Sequence, residues 1–71
     1  MKFLITRQNK DGSFDEVGMT NRTIYSDLKT INGAARRARK LWPNVGLRIE
    51  AFSNERFYGE PSQTIFIFIE E

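Results

Sequence analysis

Apolar residues along this chain switch between two periods, and the switch marks out its elements. At the start, Phe3 and Ile5 alternate with Leu4 and Thr6 across Lys2–Gln8, the two-residue period of a strand. Asn9-Lys10-Asp11-Gly12-Ser13 follows. Asp-Gly between apolar runs predicts a hairpin, because glycine accepts the positive φ such a turn needs. The returning stretch, Phe14 to Tyr25, is less regular. Phe14, Val17, Met19, Ile24 and Tyr25 mix with acids and Gly18, the pattern of a strand with a bulge or break.

From Ile31 the period lengthens. Ile31, Ala34, Ala35, Ala38, Leu41 and Trp42 fall at i, i+3, i+4, i+7, i+10 and i+11, one stripe at the 3.6-residue period. This predicts a helix over Ile31 to Trp42. Thr30 is the expected N-cap, with Asp27 as the alternative if the helix begins a turn earlier. Pro43 has no N–H to continue the ladder and ends it. The alanines imply a close approach of helix to sheet, with Leu41 and Trp42 filling the wider end.

Alternation returns at Val45–Phe52, where Leu47, Ile49 and Ala51 interleave with Arg48, Glu50 and Phe52. Ser53-Asn54-Glu55-Arg56 reads as a turn and Phe57-Tyr58 as a short strand stopped by Gly59 and Pro61. The last strand, Gln63–Glu70, carries the run Ile65-Phe66-Ile67-Phe68-Ile69. With apolar residues on both faces it reads as a central strand. The order is therefore ββαββ: an α+β fold whose antiparallel sheet of four to five strands carries one helix on one face. A single helix leaves the other face of that sheet uncovered. Either loops such as the Phe14–Tyr25 stretch fold over it, or Phe66, Phe68 and Phe52 form a dimer or partner interface there.

Composition narrows the picture. Seventy-one residues make one domain, 1–71. A chain this short buries about 60% of its unfolded surface, so its stability margin is expected to be thin. Neither cysteine nor histidine occurs. That removes disulfides, thiolate nucleophiles, imidazole bases and the usual zinc ligands, and leaves self-association as a possible support. The three apolar residues after Lys2 are too few for a secretory leader or a membrane span, so a cytoplasmic location is expected. The formal net charge is +2, unevenly spread: residues 1–43 hold nine Lys/Arg against four Asp/Glu, and residues 44–71 hold two against five. Such asymmetry suggests one positive surface.

The helix supplies that surface. At about 100° per residue, Gly33, Arg36, Arg37 and Lys40 lie opposite the apolar stripe, with Arg39 at its flank. Guanidinium forks suit carboxylates and phosphates, so this face is a candidate for an acidic protein patch or for DNA or RNA. No acid at i±4 relieves Arg36, Arg37 or Lys40, and their mutual repulsion points to a use. Lys29 and Arg7 are further candidates for the same contact.

Other chemistry has little footing. Asp27-Leu28-Lys29 is an acid-x-Lys triplet without a partner acid, and Asp15-Glu16 has neither base nor nucleophile beside it. The glycines at 12, 18, 33, 46 and 59 are scattered and form no phosphate-cradling loop. Arg56-Phe57-Tyr58-Gly59 does not follow the order of a ribonucleoprotein sheet motif, and one helix cannot make a helix-turn-helix. No catalysis, metal or cofactor is expected.

In its order of elements, with a capped helix start over Ser26 to Ala38 and Gly46-Leu47-Arg48-Ile49-Glu50 as the strand after it, the chain resembles small phage-encoded type I anti-CRISPR inhibitors. The resemblance implies a stoichiometric inhibitor that docks on a host CRISPR nucleoprotein complex and hides its nucleic-acid path. Arg36, Arg37 and Lys40, with Arg39, Lys29 and Arg7 around them, are the contacts expected from the helix geometry. Direct, mostly non-specific DNA or RNA binding is the alternative.

Overall fold

The computed structural model describes residues 2–14, 22–53 and 60–69. Its elements are β1 (Lys2–Arg7), β2 (Arg22–Tyr25), α1 (Ile31–Leu41), β3 (Leu47–Phe52) and β4 (Gln63–Ile67). Neighbouring strands all run antiparallel, in the order β2-β1-β3-β4, and α1 lies on one face of the sheet. The expected α+β fold is thus present. The fifth strand at Phe57-Tyr58 falls outside the described residues.

Register explains which side chains meet the helix. Ile5 stands opposite Ile49, which stands opposite Ile65; Leu47 is paired with Ile67, and Phe3 with Tyr25 and Ala51. These rows carry Phe3, Ile5, Leu47, Ile49 and Ala51, all fully buried, into one core with Ile31, Ala34, Ala35 and Ala38 of α1. Ala34 and Ala38 have no exposed surface, as close helix-to-sheet approach requires. Ile65 and Ile67 therefore belong to the helix side, and Phe66 and Phe68 to the other.

Two expectations need correction. β4 is an edge strand of the described sheet, and the central positions belong to β1 and β3. Its doubly apolar pattern arises because Phe66 and Phe68 stay 50% and 59% exposed, against each other and Phe14, with Phe66 and Phe68 parallel at 5.9 Å. Second, the helix ends at Leu41, with Trp42 as its C-cap donating its N–H to Ala38. Leu41 is 59% exposed and fills nothing: it stands roughly 80° from the centre of the stripe at about 100° per residue. Trp42 alone packs against that end of the core. The expected hairpin is present as the antiparallel pairing of β1 with β2, and Asp11-Gly12 makes a tight turn after β1. Gly12 adopts φ 92° and donates to the Asn9 carbonyl, while Asp11 accepts from the Ser13 amide and hydroxyl. The described strand that pairs with β1 is Arg22–Tyr25, and most of the irregular 14–25 stretch, including Asp15-Glu16, lies outside the described residues.

The face away from the helix is half covered. Leu4 and Phe52 are buried there, with Thr6 and Glu50. Arg48 and Glu50 approach to 3.0 Å on this face, and Arg48 also donates to Thr6 Oγ1 at 3.3 Å. Among the described residues no helix is long and apolar enough to cross a membrane.

Candidate functional site

Local folding places the basic residues before any tertiary contact does. Thr30, in extended backbone, accepts the Gly33 N–H on its hydroxyl at 3.0 Å and starts α1 where the sequence predicts. From that start, Arg36 and Lys40 come out one turn apart on the side away from the sheet, and Arg37 leans toward the chain preceding the helix. Together with Leu28 and Gly33 they line an open groove of about 360 Å³.

The cations in it are not equivalent. Arg36 and Lys40 are exposed and make no hydrogen bond or ion pair among the described residues. Arg37 is engaged. Its Nη1 donates to both Asp27 carboxylate oxygens, at 2.9 and 3.0 Å, and its guanidinium sits 5.1 Å from the centre of the Tyr25 ring. The hydrogen bond from Arg37 holds the Asp27 carboxyl below the usual aspartate range. Burial pushes the Tyr25 phenol up, and its hydroxyl has no hydrogen-bond partner among the described residues. Both members of the ion pair are exposed, so it orients Arg37 more than it stabilises the fold.

Asp27 is the residue that sequence reasoning missed. The expectation of no relieving acid at i±4 is correct for the helix itself, but the acid arrives from ten positions earlier, where the chain turns over the helix start. Helical spacing carries no signal for such a contact. Leu28, likewise outside the helical stripe, becomes a wall of the groove and packs against the core.

The remaining predicted contacts divide. Lys29 is exposed near the helix start. Arg39 is turned inward: its Nη1 donates to the carbonyls of Trp42, Pro43 and Val45 at 3.1, 3.4 and 2.9 Å, closing the chain after the helix. Arg7 lies 4.5 Å over the Trp42 ring and donates to Thr23 Oγ1 at 3.4 Å, away from the groove's lining. Phe52 is 1% exposed, so among the described residues the open aromatic surface of this face is carried by Phe66 and Phe68 without it. Arg39→Ala is expected to lower stability by about 1–2 kcal/mol through three lost carbonyl contacts, whereas Arg36→Ala should stay within about 0.5 kcal/mol. Urea midpoints of the two variants measure this.

No protein family, characterised protein or solved structure matches this chain.

Proposed function

We propose that this chain is a non-catalytic binding protein that docks, through the basic groove on α1, onto an anionic surface of a host protein or nucleoprotein complex in the cytoplasm. The observation that carries the reading is the pair Arg36 and Lys40, exposed one turn apart at the rim of a concave site and unengaged among the described residues. Unpaired like charges held on one short helix repel each other, a cost that a bound anion removes. Leu28 adds an apolar contact beside the cations, as protein interfaces do between their charged rim and their core. Inhibition of a CRISPR-type complex by a phage-encoded protein is the specific form of this reading that the element order supports.

The test is capture of partners from bacterial lysate by the intact protein and by Arg36→Glu/Lys40→Glu, with and without nuclease. Both residues are exposed, so the variant should keep its thermal midpoint within a few degrees. The expected outcome is a nuclease-resistant complex on the unmodified protein, reduced at least tenfold on the variant. Equal capture by both removes the groove from the function. Capture abolished by nuclease assigns the groove to nucleic acid, and affinity should then fall with salt at a slope of about 0.9 per phosphate contact on duplex DNA.

A further inference from the structure

The Asp27–Arg37 pair says what kind of anion the groove accepts. Of the three cations lining the groove, Arg37 alone is occupied among the described residues, and its occupant is a carboxylate of the chain itself. That carboxylate is anchored by one side chain from an exposed position; its own side chain is 65% exposed. A carboxylate delivered from outside meets the same guanidinium, flanked by the free Arg36 and Lys40, and has Leu28 beside it for an adjoining apolar side chain. A phosphodiester chain offers the charges but no matching aliphatic group. Three cations at one groove also provide few of the many phosphate contacts by which non-specific nucleic-acid binding gains affinity.

Resting on the proposed docking role, we infer that the groove takes an acidic, leucine-containing segment of a partner protein whose carboxylate replaces Asp27 on Arg37, so that Asp27 is a built-in competitor for the site. Exchange of one carboxylate for another conserves the Arg37 contact, and the net gain comes from Arg36, Lys40 and Leu28. A partner lacking a carboxylate at that position leaves Asp27 in place and loses those contacts. Asp27 thus discriminates between partners as well as weakening all of them.

Asp27→Asn tests this. The probe is a fluorescein-labelled peptide of Glu, Asp and Leu, compared by anisotropy at low salt with a single-stranded oligonucleotide of equal charge. Asp27→Asn is expected to bind the peptide about two- to fivefold more tightly than the unmodified protein, given that charge-pair effects at exposed sites are modest. In an Arg37→Gln background the same substitution should change affinity less than twofold, because the competition acts through Arg37. Unchanged or weaker peptide binding by Asp27→Asn overturns the inference, as does tighter binding of the oligonucleotide than of the peptide, or peptide binding by neither form. The docking role is judged separately: it fails if Arg36→Glu/Lys40→Glu binds the peptide as well as the unmodified protein, and it stands if that variant loses binding while Asp27→Asn has no effect.

Discussion

Replacing Phe3 by alanine is expected to leave the domain at the edge of unfolding. Phe3 is fully buried on a central strand, between Tyr25 on β2 and Ala51 on β3, beneath the alanine face of the helix. Removing a buried phenylalanine ring costs about 3–5 kcal/mol, through lost transfer free energy and the cavity left behind. A domain of this length has on the order of 4–10 kcal/mol in total at ordinary per-residue stabilities. With a urea dependence of about 1 kcal/mol per molar, the denaturation midpoint should drop by roughly 3 M or more, and the far-ultraviolet signal should already be reduced in water. Phe66→Ala provides the contrast. Its ring is half exposed and meets mainly Phe14 and Phe68, so about 1 kcal/mol or less is expected. The two substitutions delete the same atoms, and the difference between them measures which face of the sheet holds the core.

That difference was only partly legible in the sequence. Period and capping identify α1 nearly to the residue, because Thr30, the alanine stripe and Pro43 all act within a turn of the helix they define. Alternation likewise finds β1 and β3, whose outer and inner sets differ in polarity. In Ile65-Phe66-Ile67-Phe68-Ile69 both sets are apolar, so neither the face toward the helix nor the strand's place in the sheet can be read from it. Register decides both: Ile65 and Ile67 fall opposite Ile49 and Leu47, and β3 lies between β4 and β1. The groove shows the same limit. Arg36 and Lys40 follow from helical angle alone, whereas Asp27 and Leu28 reach it through the path of the chain before the helix, which no local period encodes. Arg39 and Arg7 share the composition of the groove cations but differ in what lies within reach, three carbonyls for one and the Trp42 ring for the other.

The second large effect is expected on the face away from the helix, at Arg48 and Glu50. These alternate residues of β3 lie on the same side of a central strand, with side chains only 16% and 11% exposed. Their closest atoms are 3.0 Å apart but poorly aligned for a hydrogen bond, so the contact is chiefly between charges. Around them are Leu4 and Thr6 on β1, Thr64 and Phe66 on β4, and the Phe14 ring 5.7 Å from the guanidinium. Glu50→Ala removes the carboxylate 3.0 Å from the Arg48 guanidinium, which is mostly out of water; after allowance for the residual exposure, a loss of about 2–3 kcal/mol is expected. Replacing both, as Arg48→Met with Glu50→Leu, keeps the volume and removes both charges, and should fall within about 1 kcal/mol of the unmodified protein. Urea unfolding of Arg48→Met, Glu50→Leu and the double variant closes the cycle, with a coupling of about 2 kcal/mol expected for residues in direct contact. If the double variant is as unstable as Glu50→Ala, the pair is holding the neighbouring polar groups in place, beginning with the Thr6 hydroxyl that accepts from Arg48. If it is stable, the ion pair adds little to the free energy of the fold. Its role is then to keep apolar residues from spreading across that half of β3 toward the exposed Phe66 and Phe68, which limits the hydrophobic area this face presents to other molecules.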